Sequence, residues 1–182
     1  LIGGDAFQET DVTGITLPIT KHNYIVTRVD QIAETIREAF YIARSGRPGP
    51  VLIDICKNAQ IESCEFVFPE EVKLPGYQPV LRSSRNLLDQ AVDLIERAKK
   101  PIILCGHGVL MSKAEEELMQ FAVKTQTPVA STLLGLGAFP ASHELSLGMM
   151  GMHGEVHTNM AIQNSDLILA FGMRFDDSVT GT

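Results

Sequence analysis

The sequence predicts an α/β protein with a doubly wound parallel sheet, and two observations lead to this fold class. Short apolar runs rich in β-branched residues alternate with stretches in which apolar residues recur at helical spacing. Several of these runs are apolar at consecutive positions, as expected of strands covered on both faces. Strands that alternate with helices in this way form parallel βαβ units, with helices on both faces of the sheet.

The first helix and strand are predicted in the first third of the chain. Apolar residues recur at helical spacing from Ile32 to Ala43. Asp30 is placed to cap this helix, and Gly46 offers the left-handed residue that ends it. Residues 50–55 form a short apolar run, which predicts a strand buried on both faces.

A linker is predicted at residues 61–83, because periodicity is lost there and three prolines interrupt the chain. We therefore expect two domains. Residues 1–60 form the C-terminal part of the first, and residues 84–182 form the N-terminal part of the second. The chain begins with Leu1 and stops directly after a motif-like stretch, so we expect further sequence at both ends.

The second domain is predicted to alternate helices and strands. A helix at 84–99 is ended by Pro101 and followed by a strand at 102–105. Ser112 and Glu115 form an S-x-x-E capping box ahead of a helix that ends near residue 126. The remaining elements are a strand at 128–131, a glycine-rich loop at 134–154, a helix at 156–163 and a strand at 167–171.

Composition limits the classes of partner. The chain is 45% hydrophobic and has a formal charge of −7 without a long basic run, so no nucleic-acid partner is expected. Its apolar runs fall far short of the roughly 20 residues that span a bilayer, so no membrane insertion is expected. Three cysteines without a CxxC spacing favour a reducing compartment, the cytoplasm or an organelle.

Glycines follow the predicted strands at the edge where parallel sheets bind ligands. Gly106-His107-Gly108 follows the strand at 102–105, residues 132–137 follow the next, and residues 172–177 follow the last. Glycines let backbone amides approach a phosphate, and Arg174 adds a planar fork of donors, so these loops together predict a dinucleotide site. Alone, the GHG turn lacks the third glycine of the fingerprint, and a tight strand-to-helix turn explains it about as well.

Three neighbouring patterns have simpler interpretations. His153 and His157 are spaced like zinc ligands on a helix, but Gly154 disfavours a helix there and no metal site is predicted. Asp176 and Asp177 are adjacent, so one is expected to turn inward and one outward rather than to form an acid/base pair. The methionines among the glycines fit core packing and ligand contact about equally: Met149, Met150 and Met152.

Five motifs, in this order and at these separations, resemble the catalytic subunit of acetohydroxyacid synthase, also called acetolactate synthase. They are DAFQE at 5–9, TKHNY at 20–24, GRPGPVLID at 46–54, GMMGMHG at 148–154 and RFDD at 174–177. The resemblance covers nearly the whole chain. It implies a pyrimidine-binding domain that ends near residue 60, followed by the earlier part of a central FAD-binding domain.

The resemblance also implies the reaction and its components. Thiamine diphosphate, held with Mg²⁺, supplies the chemistry that decarboxylates pyruvate and joins the product to a second 2-keto acid, pyruvate or 2-ketobutyrate. FAD is bound without a net redox role. The expected partners are further copies of the chain and a regulatory subunit. The motifs that anchor thiamine diphosphate do not occur in these residues, so no catalytic residue is assigned and the chain alone is expected to be inactive.

Site residues follow from the resemblance position by position. The expected FAD contacts are Arg47, Gly106, Gly108, Thr132, Leu133, Met152, His153, Gly172, Arg174 and Asp176. The expected lining of the channel to the thiamine is Phe7, Gln8, Lys57, Met152, Asp177 and Ser178.

The sequence departs from the family pattern at three places. Cys56 and Asn58 flank Lys57 where the family has a proline and an acid, and His107 separates the two glycines of the turn. Ser178 stands where an arginine normally follows the two aspartates. Two alternatives stay open: a nucleotide-binding domain without catalysis, and a related carboligase such as glyoxylate carboligase.

Overall fold

The computed structural model describes residues 3–4, 9–80 and 82–180 and contains two compact units, of which the first ends at Ser83 and the second begins at Ser84. Phe7 and Gln8, which the family resemblance places in the channel, lie outside the described residues. The assignment of the units to particular enzyme domains stays a prediction.

The first unit is built on a two-stranded parallel sheet. Strand β1 (His22–Val26) pairs with β2 (Val51–Ile55), with Tyr24 opposite Ile53. Helix α2 (Ile32–Arg44) connects the two strands. Two short helices, α1 (Val12–Thr16) and α3 (Lys57–Ile61), complete the unit. Strand β1 was not predicted, because polar His22 and Asn23 open it.

Two predictions in this unit are wrong in detail. Asp30 does not cap α2. It lies in a 3-10 turn, its carboxylate pairs with the Arg28 guanidinium, and the N-cap residue is Gln31. Strand β2 is half-buried along its whole length rather than fully buried, because it has one neighbouring strand among the described residues. Gly46 does adopt the predicted left-handed conformation, with φ of 55°.

The predicted linker has no helix or strand between residues 62 and 80, yet it is fastened to the end of α2. The Lys21 Nζ donates to the carbonyl of Ser45 at 2.6 Å and to the hydroxyl of Tyr77 at 2.8 Å. The Tyr77 hydroxyl donates to the same carbonyl at 3.0 Å. Hydrogen bonding to Lys21 lowers the pKa of Tyr77 below its ordinary value.

The second unit is a four-stranded parallel sheet in the order β5-β4-β3-β6, which confirms the predicted fold class. The strands are β3 (Pro101–Cys105), β4 (Val129–Ser131), β5 (Ser146–Met149) and β6 (Leu167–Phe171). The helices are α4 (Arg85–Arg97), α5 (His107–Ser112), α6 (Glu115–Thr125), α7 (Val156–Gln163) and α8 (Asp177–Thr180). No helix in the described ranges has both the length and the apolar character needed to cross a membrane.

Strand β3 is the centre of the core, and its side chains alternate between two clusters. Ile103 and Cys105 are completely buried on one face with α6 residues such as Leu118, whereas Ile102 and Leu104 pack on the other face with Met150. At the opposite end of the sheet, the Asp166 carboxylate accepts hydrogen bonds from the amides of Lys99 and Lys100, both at 2.8 Å. This contact fixes the start of β6 beside the start of β3.

Three predictions in the second unit need correction. Helix α4 ends at Arg97, and Pro101 begins β3 instead of ending the helix. Ser112 and Glu115 do not form a capping box, because Ser112 ends α5 and the N-cap of α6 is Ala114, without a side-chain hydrogen bond. The glycine-rich loop contains strand β5, which the left-handed Gly148, with φ of 81°, conceals from a periodicity analysis.

Candidate functional site at the carboxyl ends of the strands

The strand order creates a switch point beside β3. The chain passes from β3 to β4 and then β5 on one side, and returns to place β6 on the other side of β3. Loops that leave neighbouring strands in opposite directions open a crevice, which is where open α/β sheets bind ligands. The loops concerned follow Cys105 and Phe171.

These two loops touch through glycine backbones. The Gly106 amide donates to the Phe171 carbonyl at 2.9 Å, and the Gly108 amide donates to the Gly172 carbonyl at 2.8 Å. A Cβ on Gly108 would lie 2.6 Å from the Gly172 Cα, and one on Gly172 would lie 2.4 Å from the Val109 nitrogen. Close backbone packing therefore accounts for these glycines, and the Gly106 and Gly108 amides are already bonded within the protein.

The loop after β4 is fastened to β3 in the same way. The Thr132 amide donates to the Cys105 carbonyl at 2.9 Å, and the Thr132 hydroxyl accepts from the Gly135 amide at 3.0 Å. A Cβ on Gly135 would lie 2.5 Å from the Cys105 carbonyl oxygen. Leu133, between these anchors, leaves 69% of its surface exposed. The loop thus presents an apolar side chain on a firmly held backbone.

The loop after β5 carries Met152 and His153, both exposed. Its backbone is held at Gly151, whose amide donates to the Asn159 Oδ1 at 2.9 Å and whose carbonyl accepts from the Asn159 Nδ2 at 2.9 Å. The next amide, that of Met152, donates to the Ser178 carbonyl at 2.8 Å. The loop is therefore connected to both α7 and α8.

The loop after β6 brings opposite charges together. Arg174 contacts the Asp176 Oδ2 at 2.9 Å, while the Asp176 Oδ1 is buried and has no hydrogen-bond partner within the described part of the chain. Asp177 is exposed and begins α8. The expectation that the adjacent aspartates differ in orientation is confirmed. An unpaired buried carboxylate oxygen is costly, and a ligand hydroxyl or amine can satisfy it.

The side chains of Cys105 and His157 make contacts within the protein. The Cys105 Sγ lies 3.1 Å from the Ser131 Oγ, and burial raises the pKa of the thiol, which disfavours the thiolate. The His157 Nε2 contacts the Leu147 carbonyl at 3.1 Å. Among residues 3–4, 9–80 and 82–180, no three histidine, cysteine or acidic side chains are grouped for a metal ion.

The sequence-predicted site residues fall into both units. Those expected to contact FAD follow the strands of the second unit, except Arg47, which is exposed in the first unit just after α2. Lys57 is exposed at the first residue of α3. Sequence analysis did not identify Asn159, because an asparagine inside a helix gives no indication of which residue its side chain contacts.

Comparison with known proteins assigns this arrangement to a family. Residues 88–182, which include all four strands of the second unit, match the family model described as "Thiamine pyrophosphate enzyme, central domain". The chain belongs to the thiamine pyrophosphate enzymes.

Within this enzyme family, the chain is similar to acetolactate synthases along its full length. It is 52% identical over 181 residues to the acetolactate synthase large subunit of Corynebacterium glutamicum, covering all of the chain and 29% of that protein. It is 53% identical over 183 residues to the chloroplastic acetolactate synthase 2 of Nicotiana tabacum, covering 27% of it. Acetolactate synthase of Mycobacterium bovis is 50% identical over 181 residues, with 29% covered.

These relatives confirm the resemblance to acetohydroxyacid synthase that the five motifs indicated. The chain spans less than a third of the length of each relative. The similarity includes both units, because the aligned region covers the whole chain.

Proposed function

We propose that this chain is part of a thiamine diphosphate-dependent acetolactate synthase. The enzyme condenses pyruvate with pyruvate or 2-ketobutyrate, giving acetolactate or acetohydroxybutyrate for branched-chain amino-acid biosynthesis. The observation that carries the proposal is 52% identity along the full chain to an acetolactate synthase large subunit. Identity of this degree over a region that covers both units supports the same activity more strongly than the shared fold of one domain does.

The second unit is the part that we expect to bind FAD, and three features support this cofactor. The unpaired Asp176 Oδ1 offers an acceptor for a ribityl hydroxyl. Leu133 and Met152, both more than 60% exposed at this edge of the sheet, offer apolar contacts for a flavin ring. Arg174 supplies a planar set of donors suited to a diphosphate. When bound, FAD has no net redox role in this reaction.

The glycines have a different role from the phosphate binding that the sequence predicts for their backbone amides. Since the Gly106 and Gly108 amides bond to the carbonyls of Phe171 and Gly172, their part is to hold the loop after β3 against the loop that carries Arg174. Gly172 completes this packing with its left-handed backbone, φ of 59°. Any contact of these glycines with FAD is then a packing contact.

The first unit is proposed to end the pyrimidine-binding domain, with residues 61–83 as linker. Phe7, Gln8 and Lys57 are assigned to the substrate channel from this unit, together with Met152, Asp177 and Ser178 from the second. Mg²⁺ and the diphosphate of the thiamine are expected to be bound mainly by residues outside this chain. We expect a homo-oligomer that binds a regulatory subunit and works in the cytoplasm or an organelle.

The experiment is a substrate comparison with the full-length protein that contains this chain. Carbon dioxide release is measured with pyruvate and with glyoxylate, each in the presence and absence of thiamine diphosphate and Mg²⁺. The proposal predicts release from pyruvate that depends on both additions. Preferential turnover of glyoxylate would identify a glyoxylate carboligase, and no turnover of either acid would support a nucleotide-binding domain without catalysis.

A further inference from the structure

The side chain of Asn159 makes a two-way contact with a single residue of the neighbouring loop. Its Oδ1 accepts from the Gly151 amide and its Nδ2 donates to the Gly151 carbonyl, both at 2.9 Å. These two hydrogen bonds resemble those between neighbouring β-strands, and together they fix the backbone N–H and C=O of Gly151. Asn159 is half-buried, so the bonds are partly shielded from water.

Gly151 is confined on its other side by Ser178. A Cβ on Gly151 would lie 2.4 Å from the Ser178 carbonyl oxygen, and the φ of Gly151 is 99°, which side chains rarely adopt. The Ser178 carbonyl accepts from the following amide, that of Met152. Gly151 is thus held between the side-chain amide of Asn159 and the Ser178 carbonyl of α8. The position of the loop after β5 depends on these two contacts.

Helix α7 provides a rigid base for Asn159. Its neighbour Thr158 is completely buried, and its hydroxyl bonds to the carbonyl of Leu147 in β5. The backbone amide of Asn159 donates to the Glu155 carbonyl at 3.0 Å within the first turn of the helix. The side chain therefore projects from a helix that is attached directly to the sheet.

We propose that Asn159 is a positioning residue for cofactor binding, which holds Met152 and His153 in the place where they meet FAD. This inference rests on the proposed function, because it takes FAD as the ligand of the loop. Asn159 itself does not touch the cofactor. It acts through the Gly151 backbone, and both halves of its side-chain amide are needed, since one accepts and the other donates.

Two substitutions separate this role from a general contribution to folding. Asn159→Ala removes both hydrogen bonds. Asn159→Asp keeps the acceptor but places a carboxylate against the Gly151 carbonyl, and only its protonated form restores the donor. Asn164→Ala is the matched control, because the Asn164 Nδ2 bonds to the Met160 carbonyl at 2.7 Å at the exposed end of the same helix.

The measurement is the FAD dissociation constant of the full-length protein from quenching of flavin fluorescence, with folding checked by circular dichroism at the same temperature. We expect Asn159→Ala to weaken FAD binding about tenfold, from the loss of two hydrogen bonds. Asn159→Asp should weaken it at pH 8 and recover part of the affinity at pH 5.5, whereas the alanine variant should not recover. Asn164→Ala should bind as the wild type does.

Two results would overturn the inference in distinguishable ways. If the wild type binds FAD and folded Asn159→Ala binds it equally well, Asn159 has no part in positioning, while the proposed function stands. If the wild type does not bind FAD, both the FAD assignment and the role of Asn159 fail.

Discussion

The Met152 amide donates a hydrogen bond to the Ser178 carbonyl at 2.8 Å, which connects the loop after β5 to α8 through main-chain atoms alone. The side chain of Ser178 takes no part in this connection, and it is exposed. Residue 178 can therefore change without disturbing the loop that carries Met152. This separation makes Ser178 a suitable position for a test of substrate recognition.

Ser178→Arg should raise the efficiency of the full-length enzyme with 2-ketobutyrate about tenfold to a hundredfold. A guanidinium offers two parallel donors to the carboxylate of the second keto acid, and a hydrogen bond to a charged group contributes about 1.5–3 kcal/mol. The measurement is the specificity constant for 2-ketobutyrate as second substrate, compared with the rate of the decarboxylating half-reaction of pyruvate. Ser142→Arg, at an exposed turn, controls for the added charge. An unchanged specificity constant for 2-ketobutyrate would show that residue 178 does not contact the second substrate.

Gly172→Ala should destabilise the second unit by about 2–5 kcal/mol, the sum of a left-handed alanine and an overpacked contact with Gly108 and Val109. Gly137→Ala is the control, because Gly137 has a φ of 95° and no neighbouring atom lies within 4 Å of the place that an alanine methyl would occupy. That variant should lose about 1–2 kcal/mol from the backbone alone. Urea unfolding measures both, and equal losses would contradict the role given to close packing at Gly172.

The elements with strong periodicity were predictable from sequence, and the contacts between loops were not. Helix α2, whose apolar residues recur at helical spacing, and strand β6, a continuous apolar run, occur where these patterns predict them. Strand β5 and the capping of α6 were mispredicted. Gly148 interrupts the apolar pattern of β5, and Ser112 is the last residue of α5 rather than the N-cap of α6.

The candidate site was predictable only as a set of positions. The rule that ligands bind beyond the carboxyl ends of parallel strands places Gly106, Thr132 and Gly172 at one edge. It does not predict that the Gly106 and Gly108 amides donate hydrogen bonds to backbone carbonyls of the protein. Nor does it predict that Asn159 bonds to Gly151. Such contacts join residues far apart in the chain, and no local pattern encodes them.

Asp166→Asn should lower the thermal midpoint at neutral pH, because an amide cannot accept from both Lys99 and Lys100 as the carboxylate does. These two hydrogen bonds hold the pKa of Asp166 below its ordinary value of 3.8. A lowered folded-state pKa stabilises the protein above pH 3.8, and this contribution is lost as the pH falls through the folded-state pKa. The difference between wild type and variant should therefore shrink below pH 3.8.

Asp89→Asn provides the control for this pH series, since Asp89 is an exposed partner of Arg85 on α4. Its midpoint should stay close to that of the wild type. A wild-type advantage over Asp166→Asn that persists unchanged to the most acidic pH would show that the carboxylate charge is not what holds β6 beside β3.

Lys21→Met should destabilise the first unit by about 1–3 kcal/mol, because at the end of α2 the Ile42 carbonyl loses this donor and the Ser45 carbonyl is left with the Tyr77 hydroxyl. The segment around Tyr77 should also be cleaved faster in limited proteolysis, since it loses its attachment to Lys21. Lys73→Met, at an exposed position of the same segment, is the control. Identical cleavage of the two variants would exclude Lys21 as the attachment point.

Product analysis of the full-length protein tests the central claim most directly. With ¹³C-labelled pyruvate, thiamine diphosphate, Mg²⁺ and FAD, nuclear magnetic resonance identifies what is formed, and the flavin spectrum reports its redox state. The account predicts acetolactate, one carbon dioxide for every two pyruvate molecules, and a flavin that stays oxidised. Acetaldehyde or an acetyl product without acetolactate, or a flavin that becomes reduced during turnover, would contradict it.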